Sequence, residues 1–134
     1  MTIAVGDSAQ RTRTITDADI QAFAAASGDE NPVHTDAAYA ATTRFGRPIA
    51  HGMLSASLVS AVLGNDLPGP GSIYLGQTLS FKAPVYAGDT ITGRVECVKF
   101  REDKSIATFR TTVTNQDGVL VLEGEAVILA TQGE

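Results

Sequence analysis

The sequence predicts an α+β fold in which an antiparallel sheet curls around one buried helix. Three observations point there. Residues 53–63 are all apolar or small, and a helix without a polar face is a buried helix. Beyond them, residues 73–81, 91–97, 107–113 and 120–128 alternate apolar and polar side chains, the pattern of antiparallel strands with one buried face. Between the last two, Asn115-Gln116-Asp117-Gly118 supplies a hairpin turn.

In chain order, the first element is a short helix. Thr16 is its N-cap and Asp19, three residues on, nearly completes a capping box. Ile20, Phe23 and Ala24 follow at helical spacing, and Gly28 ends the helix. Residues 28–32 are turn chemistry, with local Asp and Asn side chains and a proline that stops helix continuation. A second short helix is expected from Asp36 to about Thr42. The buried helix from Met53 to Leu63 comes next, its serines able to bond back to the preceding turn or to point at a ligand. The loop from Asn65 to Ser72 contains Gly69-Pro70-Gly71, which is not a phosphate loop because no Gly-Lys-Ser/Thr follows. Ile73, Leu75, Leu79 and Phe81 are expected on one strand face, and Ile91, Gly93, Val95 and Cys97 on the next. Ala107, Phe109, Thr111 and Val113 form a third, and Leu120, Leu122, Ala126 and Ile128 a fourth opposite Glu123 and Glu125.

Length and composition set bounds on the function. At 134 residues the chain is expected to be one domain spanning 1–134, with room for a real core. Its 43% hydrophobic and 19% charged content places it with ordered globular proteins. The net charge of −5 argues against nucleic-acid binding. The basic residues are uneven: Lys82, Arg94, Lys99, Arg101, Lys104 and Arg110 fall in one region, read mainly as solvated strand faces and turns, with a local phosphate-binding patch as the minority reading. The lone Cys97 leaves no internal disulfide and no cysteine metal site, and its strand position marks it as a buried small hydrophobe. The N-terminus lacks the form of a signal peptide, and the longest apolar stretch is far short of the ~20 residues of a membrane span. A soluble cytoplasmic protein is the expectation, with no membrane partner. One sheet and one long helix leave an outer surface and strand edges to be covered, so a homodimer is expected.

The chemistry concentrates in two segments. Ser27-Gly28-Asp29-Glu30-Asn31-Pro32-Val33-His34 sets a carboxylate and an imidazole five positions apart across a proline-stiffened turn. A group to deprotonate water and another to deliver a proton is what water-adding and water-removing enzymes need. The other histidine, His51, lies in Pro48-Ile49-Ala50-His51-Gly52-Met53. No His-x-x-x-His spacing supports a metal site, and no Gly-x-Ser-x-Gly elbow supplies a nucleophilic serine.

These motifs resemble those of the MaoC-like, (R)-specific enoyl-CoA hydratases, with Ala40 six residues after His34 and Arg47-Pro48-Ile49-Ala50-His51-Gly52-Met53-Leu54 matching the start of that family's central helix. Residues 72–82 and Arg101-Glu102-Asp103-Lys104 are similar to the small bacterial hydratases that feed polyhydroxyalkanoate synthesis. The resemblance implies a hot-dog fold, strands wrapped round a long central helix, and a cofactor-independent lyase acting on an acyl-CoA thioester. It further implies that Asp29 and His34 hold the catalytic water and that the Gly52 amide polarises the thioester carbonyl. Asn31 is expected to fix the turn, His51 to shape the helix start, and Ser60 to line the acyl pocket or bond back to the helix. A carrier-protein dehydratase, a hot-dog thioesterase and a non-catalytic thioester-binding module are the alternatives.

Overall fold

The structure, a computed structural model, describes residues 3–130. It contains strands β1 (Ser8–Thr14), β2 (Ile73–Gln77), β3 (Ser80–Phe81), β4 (Thr90–Arg101), β5 (Ile106–Thr114) and β6 (Leu120–Leu129). The helices are α1 (Asp17–Ser27), α2 (Pro32–Thr35), α3 (Ala37–Ala40) and α4 (Gly52–Asn65). One antiparallel sheet runs in the order β1-β4-β5-β6-β2, and β3 also pairs with β6. Helix α4 packs across β4, β5 and β1. This is the expected sheet wrapped on a central helix.

The core lies between that helix and the inner face of the sheet. Val59, Val62 and Leu63 of α4 meet Ile91, Val95, Phe109, Val113, Leu122 and Ile128. Each such side chain, fully buried, contributes about 1.5–3 kcal/mol of transfer free energy. The inward faces expected for β4, β5 and β6 are borne out almost residue by residue, Cys97 included. Gly93 belongs to that face for a steric reason: a Cβ there would sit 2.9 Å from Cγ of Leu58.

Local signals also behave as chemistry demands. Thr16 accepts from the Asp19 amide while Asp19 accepts from the Thr16 amide, a complete capping box, and Gly28 closes α1 at a left-handed φ of 80°. Asn115 Oδ1 takes the amides of Asp117 and Val119 and Gly118 adopts φ 76°, which makes the β5–β6 turn.

Three expectations need correction. Residues 73–81 are not one strand with a buried face. They break into β2 and β3 with a register shift between Tyr74 and Gly76, and Ile73, Leu75 and Phe81 are about half exposed. The strand β2 lies at the sheet edge, beyond the strands that α4 packs across. Helix α4 is also not buried all round, because Met53, Ser57, Ser60 and Gly64 form an exposed stripe on the side away from the sheet. Strand β1 is an addition: Ser-Ala-Gln-Arg-Thr-Arg-Thr has no apolar face, and the strand is held by its ladder to β4 and by hydroxyl pairs Thr12–Thr92 and Thr14–Thr90. The expected helix from Asp36 to Thr42 is shorter, ending at Ala40, and is preceded by the separate turn α2.

Candidate active site

The loop after α1 is organised by its own side chains. Ser27 Oγ accepts from the Asp29 amide, Asp29 Oδ1 from the Asn31 amide, and Asn31 Oδ1 from the Val33 amide. These successive short-range bonds carry the chain from the end of α1 into α2, where Pro32 occupies the first turn. Asn31 is thus the N-cap of α2, and its side-chain oxygen is committed to the turn. His34 lies on α2, half-buried, and its Nδ1 is 2.7 Å from the Ile49 carbonyl. A carbonyl only accepts, so Nδ1 carries the proton and Nε2 is left for chemistry.

His51 stands at the other side. It is buried at 2% exposure, and its Nε2 donates to the Asp29 backbone carbonyl at 2.9 Å. Its ring stacks on that of His34 with centroids 3.9 Å apart and packs against Phe23 at 4.8 Å. Its Nδ1 is buried with no hydrogen-bond partner. Asp29, His34 and His51 each bring a ligand-capable atom within 4.8 Å of the others. The lack of a His-x-x-x-His spacing therefore does not keep the two rings apart. Stacking nonetheless suits the trio poorly to one shared metal ion. An ion lies in the plane of each ligating imidazole, and rings tilted by only 28° at 3.9 Å hold those planes apart.

His51 is also the N-cap of α4, and its side chain makes no capping bond. The first amides of the helix keep their partial positive charge, and Gly52 supplies the first of them. Glycine here is not required by backbone conformation, but it lets the Phe81 ring come close: a Cβ would meet Cε1 of Phe81 at 2.8 Å, so that half-exposed ring would have to shift.

Two hollows flank the start of α4. One, of about 280 Å³, is lined by His34, Gly52, Ser55, Phe81, Arg44 and Lys82 among others. The second, of about 470 Å³, is mostly apolar and lined by Phe23, Met53, Ser57, Ser60, Tyr74 and Leu79 with Ala56 and Gln77. Ser60 thus faces a hollow on the exposed side of α4 and not the packed core. Arg44 and Lys82, which sequence reasoning did not place at the site, stand beside His34. Only the fold brings them there: residues 35–48 turn back before Ile49 bonds His34, which carries Arg44, and Lys82 is placed where its amide bonds the Val121 carbonyl of β6.

A central helix under an antiparallel sheet, with an acid and an imidazole at the helix's N-terminal end, is the hot-dog class of acyl-thioester hydratases. A solved (R)-hydratase from Aeromonas caviae involved in PHA biosynthesis superimposes with a TM-score of 0.92 at 54% identity, over 95% of this chain and 96% of that one. Residues 4–119 match the MaoC-like domain, and the chain belongs to that family. It is 56% identical over 124 residues to the (R)-specific enoyl-CoA hydratase of Aeromonas caviae, 92% of each chain. It is 52% identical to the enzyme of the same description from Rhodospirillum rubrum, over 92% of this chain and 85% of that one.

Proposed function

We infer that this chain is an (R)-specific enoyl-CoA hydratase, adding water reversibly to trans-2-enoyl-CoA to give (R)-3-hydroxyacyl-CoA. The observation that carries the reading is the placement of Asp29 and His34 against the uncapped start of α4. High identity to hydratases along most of the chain supports it.

The geometry supports an acid–base course for the reaction. In this reading the catalytic water is held between the Asp29 carboxylate and His34, whose Nδ1 bonds the Ile49 carbonyl. Asp29 takes one water proton as the oxygen bonds to C3 of the enoyl group. The double-bond electrons move towards the thioester oxygen, and the Gly52 N–H stabilises the charge that develops there. His34, starting as the imidazolium, gives its Nε2 proton to C2 on the same face. The proton on Asp29 then returns to His34, and the pair is restored. Because the two groups exchange a proton within one cycle, they act as a unit. The acyl chain fits the apolar hollow beside Ser60.

A homodimer is part of this reading. It is supported by the open edge of β2 and by the exposed apolar set Met53, Ile73, Tyr74, Leu75 and Phe81 around it. A cytoplasmic location is likewise proposed, supported by the single buried thiol of Cys97. Among the described residues no helix is long and apolar enough to cross a membrane. The product class, an (R)-3-hydroxyacyl thioester, suits supply to polyhydroxyalkanoate synthesis, and the similar Aeromonas caviae (R)-hydratase is involved in PHA biosynthesis.

The test is to follow the conjugated-enoyl absorbance of crotonyl-CoA together with free thiol. Loss of absorbance without thiol release, with an (R)-configured product, is expected. Thiol release with the chromophore intact would mean a thioesterase, and an (S) product would sink the assignment.

A further inference from the structure

The chain is acidic overall, yet its unpaired cations are not scattered evenly. Among the described residues Arg11, Arg13, Arg94, Arg101 and Arg110 each have a carboxylate partner, namely Asp66, Asp19, Glu96, Asp103 and Glu123. Along β4, β5 and the turn between them Arg94, Arg101 and Arg110 are thus neutralised by neighbours, whereas Lys99 and Lys104 appear in none of those pairs and line none of the hollows described above. Arg44 and Lys82 have no such partner among those ion pairs, and both line the hollow that also contains His34 and Gly52. No carboxylate lines it. Arg47 stands next to them: its guanidinium lies over the Tyr86 ring at 4.1 Å, and the Tyr86 hydroxyl bonds the carbonyl of Phe45, another lining residue.

Two uncompensated cations on one wall of a hollow, in a protein of net charge −5, mark it for an anion. The same hollow reaches the Gly52 amide, so the anion is attached to the group whose carbonyl meets that amide. The rest of the lining includes Phe45, Phe81, Pro84 and Val85, which suits a slender, uncharged arm.

We propose that Arg44 and Lys82, with Arg47 beside them, form the phosphate-binding rim for the nucleotide end of a coenzyme A thioester. The pantetheine arm runs past Phe81 to Gly52. Guanidinium and ammonium groups suit different parts of that ligand: Arg44 can grip two phosphate oxygens at once, and Lys82 acts as a point charge. The assignment rests on the hydratase reading and decides between carriers. A carrier-protein thioester brings one phosphodiester and a protein surface, whereas coenzyme A brings a diphosphate and a further phosphate.

The experiment compares KM for crotonyl-CoA and for crotonyl-pantetheine, which has the arm and the thioester but no phosphate. The unaltered protein is expected to show the lower KM for crotonyl-CoA, with added salt raising that value and not the other. Arg44→Gln and Lys82→Gln are each expected to raise KM for crotonyl-CoA by about 5- to 10-fold and to narrow the gap between the two substrates. Lys99→Gln and Lys104→Gln, which remove charge from β4 and the β4–β5 turn, are expected to leave the gap unchanged. A gap that survives in both Arg44→Gln and Lys82→Gln overturns the rim, and so does an equal rise in KM for both substrates. Equal KM values in the unaltered protein also overturn it. Failure to hydrate either thioester would instead refute the underlying reading, an outcome separable from these.

Discussion

The imidazole of His51 donates its Nε2 hydrogen to the backbone carbonyl of Asp29 at 2.9 Å. The N-cap of the central helix thereby holds the loop that presents the acid, while its ring supports that of His34 from below. His51 is a positioning residue. Replacing it with Phe keeps a ring against Phe23 and removes the donor. We expect kcat for crotonyl-CoA to fall about 10²-fold, the scale of a misplaced reacting group, with KM nearly unchanged. His51→Gln, which retains an N–H donor, should recover part of the loss. Steady-state kinetics with circular dichroism as the fold control decides it, and a matching rise in KM would point to general disruption.

Asp29→Asn and His34→Gln each remove one end of the proton circuit. Each should lower kcat by about 10²–10⁴-fold while leaving the fold intact. The double variant should be little worse than the poorer single one, because the two act as a unit. Independent, multiplicative losses would contradict the shared-proton cycle.

Gly52→Ala places a methyl 2.8 Å from the Phe81 ring and in front of the first amide of α4. We expect a fall in kcat of about 10²-fold, typical of losing an oxyanion donor. Adding Phe81→Leu should relieve the crowding and restore thermal stability without restoring the rate. Recovery of both would assign Gly52 to packing alone.

Gly124→Ala tests the sheet. A Cβ there would overlap the carbonyl oxygen of Thr78 and lie 2.7 Å from its carbon, and backbone cannot swing aside as a side chain can. The substitution should cost ~3 kcal/mol, at the severe end for overpacking, read from urea unfolding midpoints. The damage should centre where Thr78 bridges to Glu125 between β2 and β3.

The capping box of α1 predicts an acid limb in stability. The amide of Thr16 first, and Arg13 second, hold the Asp19 carboxyl below its ordinary range. A carboxylate depressed in the folded state stabilises above its unfolded pKa, near ~3.9, and that contribution disappears as pH falls through the lower folded value. Asp19→Asn should therefore be less stable than the unaltered chain at neutral pH, with the difference shrinking below about pH 4. Denaturant titrations across pH 2–7 would reveal a constant difference if the carboxylate charge has no role.

The catalytic pair was legible because its geometry is local. Asp29 and His34 sit on one turn built by Ser27, Asp29 and Asn31 themselves, and those residue types announce turns and caps. The inner faces of β4, β5 and β6 were legible because each is covered by α4 and must alternate. What could not be seen was whatever depends on distant backbone. The stacking of His51 on His34 requires the chain to return at Ile49, and the place of Arg44 follows from the same return, while Lys82 is placed by the pairing of β3 and its flank with β6. The exposed faces of β2 and α4 misled for the opposite reason. Their apolar residues were assigned to the interior of one chain, and among the described residues they stay about half exposed.

The two hollows at the head of α4 have no lining residue in common. Changes at Ser57, Ser60 or Tyr74 can reshape one of them without disturbing the other. Inheritance can therefore vary the tail a descendant accepts while preserving the handle by which that tail is presented. A laboratory seeking longer or bulkier tails has the same freedom, and can leave the neighbourhood of Arg44 and Lys82 untouched.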